Sequence, residues 1–106
     1  MPEAKRVVWA PSAKRDLRDI WRYYARVGSS EVADELLREI DRAGERLGRR
    51  YHLGRKRDDL MHALQSMIVH PHTIFYRVSD ASVEVARVLH ERRDFPGLFS
   101  KGETRP

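Results

Sequence analysis

The 106-residue chain contains no cysteine. That absence removes a disulfide framework, a thiolate nucleophile and any cysteine-based zinc site, while leaving the compartment open. Long apolar runs are missing too, and none approaches the roughly 20 residues a membrane helix needs. The stretch MPEAKRVVW has no apolar signal-peptide core, so nothing points to export and the expectation is a cytoplasmic protein. Repeats and low-complexity segments are absent. Residues 1–106 are therefore read as a single domain, with a tail that frays from about residue 100. The signatures of RRM, KH and helix-turn-helix modules are absent as well, which argues against direct sequence-specific nucleic-acid binding.

What remains is a globular composition with a heavily charged surface: 41% hydrophobic and 35% charged residues. The net charge of +5 suits an acidic partner, either nucleic acid or an acidic protein segment, although it serves solubility equally well.

KRVVW (5–9) is β-branched and aromatic, and reads as a first strand. Ser12 offers a helix N-cap, and Ala13, Leu17, Ile20, Trp21 and Tyr24 then recur at helical spacing. The face carrying Leu17, Ile20, Trp21 and Tyr24 is expected to be buried against the sheet or a second helix. Asp16 suits the positive end of that helix. Gly28 stops it and Ser29–Ser30 supply a fresh cap. Val32, Leu36, Leu37, Ile40, Ala43 and Leu47 mark the second helix, with Glu35–Arg38 and Glu39–Arg42 as surface pairs and Gly48 as its end. The short RVGSS link makes the helices an antiparallel hairpin.

Residues 48–59, GRRYHLGRKRDD, have no period and carry Arg49, Arg50, Arg55, Lys56 and Arg57; they read as a mobile basic loop. Three strand-like runs follow: ALQSMIV, HTIFYRV and SVEVARVLH, joined by gaps that suit tight hairpins. The imperfect alternation of the last run implies a central strand with both faces partly buried. The expected fold is α+β: an N-terminal strand, an antiparallel helical hairpin, then a three-stranded antiparallel meander, in the order β-α-α-β-β-β, with the helices on one face of the sheet.

His70 and His72 flank Pro71 as an H-x-H, but without a carboxylate or cysteine the set is incomplete for zinc. The pair is read as surface histidines of a hairpin turn, and neither a metal nor a cofactor is expected. RVLHERRDF (87–95) has two readings: an exposed strand end with Glu91 and Asp94 pairing to the arginines, or a cationic docking patch.

Three stretches together, A..DLRDIWRYYA on the first helix, IFYRV on a middle strand and VEVARVLHERRDFPGLF at the end, resemble the ParE toxins of the ParE/RelE superfamily. The likeness spans roughly residues 7–99; at 48–59 the chain departs from the family, having Arg49–Arg50 and then Gly54 where relatives carry a Pro and a Gly. The resemblance implies a toxin that binds DNA gyrase and is silenced by a ParD-like antitoxin in a hetero-oligomer. It implies target contacts at His90, Arg92 and Arg93, antitoxin contacts at Leu17, Trp21, Tyr24 and Arg87, and no catalytic residue. A RelE-type ribosome-dependent messenger-RNA endonuclease is the second reading. It draws on Arg92, Arg93 and His90 but lacks the C-terminal tyrosine and lysine of such enzymes. A degenerate toxin that only binds antitoxin is the third.

Overall fold

The computed structural model describes residues 3–93 and 95–100. A first strand β1 (Arg6–Trp9) leads into helices α1 (Pro11–Val27) and α2 (Ser30–Arg50). A 3₁₀ turn (Tyr51–Leu53) follows, then strands β2 (Arg55–Lys56), β3 (Gln65–Val69), β4 (His72–Val78) and β5 (Ser82–His90), and a short helix α3 (Phe95–Ser100). Among the described residues no helix is long and apolar enough to cross a membrane.

The helix starts illustrate how local signals compete with tertiary ones. Pro11 opens α1, its fixed φ and missing N–H suiting the first helical position, and Ala10 at the cap offers no side-chain bond. Ser12 is therefore not the cap. Its hydroxyl instead donates to the Ala86 carbonyl at 2.7 Å, tying α1 to β5. Ser29 does cap α2, accepting the Val32 N–H at 3.2 Å. On the outer face of α2, Arg38 meets Glu35 at 3.2 Å, and Arg42 reaches back to the same Glu35 at 3.4 Å rather than to Glu39.

Gly48 does not end α2, which runs two residues further. The glycine is needed for close approach. Lys5 donates its backbone N–H to the Gly48 carbonyl at 2.7 Å, and a Cβ on Gly48 would lie 2.7 Å from the Lys5 carbonyl oxygen. One turn earlier, a Cβ on Gly44 would lie 2.5 Å from the ring of Trp9. The two glycines thus form the strip of α2 onto which β1 is laid. In an open helix Gly→Ala gains about 1 kcal/mol. Here Gly48→Ala is expected to destabilise by about 1–3 kcal/mol, because it overpacks backbone against backbone. Urea unfolding checks the sign, and a stabilised variant would refute the close approach.

The sheet runs β1-β5-β4-β3-β2. β3, β4 and β5 form the expected antiparallel meander, with one amendment: β1 lies parallel to β5, Val7 opposite Val83 and Trp9 opposite Val85, so the sheet as a whole is mixed. The two helices between them carry the chain across one face. That face holds the larger core, with Ile40, Ala43 and Leu47 of α2 against Ile74, Tyr76, Val83, Val85 and Val88.

The second face is covered too, as the imperfect alternation of the last strand implied. Leu64, Phe75, Ala86, Leu89 and Phe99 form a smaller core there, closed by α3 and by Leu60 and Met61. Phe99 is 5% exposed, so the tail turns into a packed helix before residue 101, and the expected fraying falls outside the described residues. The 48–59 segment also differs from a mobile loop. Its first residues complete α2, Arg55 and Lys56 pair with Ser66 and Gln65, and Arg57 sits against Asp59 at 3.2 Å and over the rings of Phe75 and Phe95. Gly54 admits the Tyr76 hydroxyl, which donates to the Tyr51 carbonyl at 2.9 Å.

Candidate functional site

Two features of β5 shape one end of the molecule. The first is a bulge. Tyr76 stands opposite Val85 but Phe75 stands opposite Arg87, leaving Ala86 without a partner. The extra residue resets the alternation, so Val83 and Val85 before it and Val88 after it all join the helix-side core. The second is an ion pair. Arg87 Nε and Nη2 donate to the two carboxylate oxygens of Asp16 at 2.8 and 3.0 Å, and the Val88 N–H donates to the same carboxylate at 2.9 Å. Both side chains are only about a tenth exposed, at 10% and 11%. This fork locks α1 onto the far half of β5; Asp16 lies beyond the first turn of α1, which holds no acid, so its carboxylate serves Arg87 rather than the helix dipole.

Beside that lock a cleft of about 530 Å³ opens between α1 and the strand ends. Asp19, Ile20, Tyr23, Tyr24 and Val27 come from α1, His72 and Val88–His90 from the sheet, and Arg92 and Arg93 from the turn that follows. Its wall is aromatic: Tyr23 and Tyr24 meet edge to face at 5.1 Å, Tyr24 and His72 at 6.0 Å, and His72 and His90 at 5.5 Å. Tyr23 and Val27 remain 51% and 58% exposed, a large apolar surface for a helix so charged elsewhere.

The histidines differ in role. His90 Nδ1 accepts the backbone N–H of Arg92 at 3.1 Å, which places the neutral ring's proton on Nε2. His70 is exposed and its Nδ1 lies 3.3 Å from Glu91. His72 is not a surface residue, being 1% exposed, and its Nδ1 has no hydrogen-bond partner among the described residues. Burial and the neighbouring His90 push its imidazole down to about 4. The ring is neutral at physiological pH.

This fixes a pH dependence. Below about 6.5 the unfolded chain binds a proton at this residue that the native state refuses until about pH 4, so stability falls as pH falls through that window. The loss amounts to roughly 3 kcal/mol and is absent above the window. Urea midpoints of the parent and of His72→Phe, compared near neutrality and near pH 4, isolate it. An identical acid slope in both proteins would refute the assignment.

Arg92 and Arg93 are exposed, and among the described residues neither takes part in a salt bridge. Of the two acids offered as partners, Glu91 faces His70 and Asp94 lies outside the described residues. The cleft therefore gathers His90, Arg92, Arg93 and Tyr24. Trp21 sits apart, 36% exposed on the helical hairpin with its N–H donating to Asp34 at 2.8 Å. Leu17 is half-buried against the main core, and Arg87 lies behind the cleft in its pair with Asp16. Among the described residues no three His, Asp or Glu side chains come together as a metal site. Chemically, the arrangement offers two exposed guanidinium groups, without a salt bridge among the described residues, next to an aromatic and aliphatic wall.

The model of the ParE toxin of the type II toxin–antitoxin system, parDE, matches this sequence over residues 7–95. The chain belongs to the ParE toxin family. Toxin ParE1 of Mycobacterium tuberculosis is 33% identical over 93 residues, covering 86% of this chain and 94% of that toxin. Toxin ParE1 of Caulobacter vibrioides is 33% identical over 79 residues, covering 74% and 81%. A solved structure described as the chromosomal ParDE TA system from P. aeruginosa has the same fold, with a TM-score of 0.74 at 18% identity over 82% of this chain and 96% of that one.

For a ParE-type toxin the cleft holds residues that sequence reasoning had put elsewhere. His72 reads as a surface turn residue and Ile20 as part of a buried helix face, while Asp19, Tyr23 and Val27 are not singled out as site residues by the sequence. Their convergence follows from the bulge at Ala86 and the Asp16–Arg87 fork, both of which pair residues too distant in sequence to be read locally.

Proposed function

We propose that this ParE-type toxin acts by binding: the cleft mouth, with His90, Arg92 and Arg93, contacts the target, and a ParD-like antitoxin silences the toxin by covering the same mouth. The observation that carries this reading is the juxtaposition of two exposed arginines with the exposed Tyr23 and Val27. Such a surface fits an acidic, apolar protein segment. Trp21 and Tyr24 extend the antitoxin contact along α1, with Leu17 and Arg87 supporting it from beneath. DNA gyrase is the target that the family resemblance suggests, which places the action in the cytoplasm and the silenced toxin in a hetero-oligomer. The hydrogen bonding of His90 agrees with a non-catalytic role, since its Nδ1 is engaged by a backbone N–H rather than by a carboxylate that would orient it as a base.

Expression without antitoxin, followed by microscopy and a supercoiling assay on the purified toxin, tests the proposal. Filamentation with loss of supercoiling supports it. One observation favours the RelE-type alternative, namely that Tyr23 and Tyr24 share the cleft with the two arginines. Growth arrest with intact supercoiling and ribosome-dependent messenger-RNA cleavage would shift the function to that reading. Absence of arrest would leave an antitoxin-binding protein only.

A further inference from the structure

The basic segment after α2 has no role in the cleft. Its arginines surround the open edge of the sheet. β2 covers the outer side of β3 at only two positions, Arg55 opposite Ser66 and Lys56 opposite Gln65. Met67, Ile68 and Val69 pair with β4 on one side and, among the described residues, have no strand on the other. A strand in that position presents alternate backbone N–H and C=O groups unpaired, and sheets usually blunt such an edge with a lysine, a proline or a bulge. Here the edge carries Ile68, 74% exposed, with Leu53 beside it at 65%.

A groove of about 550 Å³ lies along this edge, bordered by Arg46 and Arg50 from the end of α2 and by Arg55 from β2. Among the described residues none of these three arginines is in a salt bridge. The one acid in the lining, Glu91, lies 3.3 Å from His70. Arg57 is different, being held by Asp59 and by the rings of Phe75 and Phe95. The groove thus combines three available cations, two exposed aliphatic side chains and a free strand edge. It shares no lining residue with the α1 cleft.

We propose that this groove receives an extended acidic and apolar segment of a protein partner, which adds to β3 as a further strand. Its main chain completes the hydrogen bonding of Met67–Val69, alternate apolar side chains cover Ile68 and Leu53, and its carboxylates meet Arg46, Arg50 and Arg55. A nucleic-acid strand would use the arginines but leave both aliphatic side chains against a polar backbone. The groove's aromatic residue, Phe95, is packed edge-on to Phe75 at 5.0 Å and against Arg57, so it offers no open face for a base. The free edge decides for peptide. The inference goes beyond the toxin reading and does not depend on it.

The test uses the full chain, isotope-labelled, with a short peptide of alternating Glu and Val as probe. Binding with amide shifts concentrated at Met67–Val69 is expected. The charge-reversed pair Arg46→Glu and Arg50→Glu is expected to weaken it by about tenfold or more, and so is Ile68→Asp. These positions are exposed, and the rest of each variant's spectrum reports that the fold is kept. A peptide of the same sequence with N-methyl groups on alternate amides is expected to lose binding, because strand addition needs those donors. Three results would overturn the proposal: no shifts at the edge, equal binding of the N-methylated peptide, or tighter binding of a short single-stranded RNA to the same arginines.

Discussion

Replacing Asp16 by alanine is expected to destabilise the protein by about 3–5 kcal/mol, the range found when one partner of a buried ion pair is removed. Three donors converge on that carboxylate: two from the Arg87 guanidinium and one from the Val88 main chain. Truncation removes both of the carboxylate bonds from a guanidinium about nine-tenths buried and takes the acceptor from a backbone N–H in the same step. A small domain has only about 5–15 kcal/mol in total, so the loss is a large share. Asp16→Asn keeps the shape and one acceptor oxygen and should cost less. Equilibrium urea unfolding of both variants measures the difference, read as a change in midpoint at constant slope. A loss below about 1 kcal/mol for Asp16→Ala would show that the pair behaves like an exposed one. Because the fork joins α1 to the strand end beyond the bulge, a weakened pair should also loosen the cleft before the core melts. Amide exchange at Val88 and His90 rising ahead of that at Val83 would register this.

Arg92→Glu with Arg93→Glu is expected to do the reverse: leave stability within about 0.5 kcal/mol of the parent, and remove function. Neither arginine is in a salt bridge among the described residues, and both are exposed, so folding has little to lose. On the proposed reading the acidic partner then meets like charge at the centre of its contact, which costs several kcal/mol and weakens binding by about 100-fold or more. Two readouts separate the partners. Growth arrest on induction reports the target, and titration of purified antitoxin against the toxin reports neutralisation. Loss of both agrees with one shared surface. A double variant as toxic and as well neutralised as the parent would remove the cleft mouth from the mechanism.

The sequence was most informative where a pattern is repeated by neighbours. The runs around β3, β4 and β5 were recognisable because alternating apolar residues are bounded by Pro71 and by Ser79–Asp80–Ala81, and the observed strands start and stop within two residues of them. The helical hairpin followed from spacing and from Ser29. Failures cluster where a residue serves a distant contact. Ser12 looked like a cap and bonds Ala86; Asp16 looked like a dipole partner and holds Arg87; Gly48 looked like a stop and is where β1 touches α2. The short helix α3 carried no signal in the sequence; it forms because Phe95 and Phe99 have Phe75 to pack on.

The candidate cleft was half legible. The arginines and His90 stand out in RVLHERRDF, since a charged run directly after a buried strand has few structural uses. What they face did not stand out. Tyr23 and His72 join them only because one extra residue in β5 shifts the phase of everything that follows, and a bulge of that kind has no local signature here.

The parallel pairing of β1 with β5 has a consequence for biosynthesis. Val7 waits for Val83, and the cleft waits for His90. Contacts this distant in sequence are slow to form, and a nascent chain leaves the ribosome at about 5–20 residues per second. Until β5 has emerged, α1 has no strand end to close against, and the cleft does not exist. On the proposed reading, the newly made chain passes several seconds as an unfinished sheet without its binding surface.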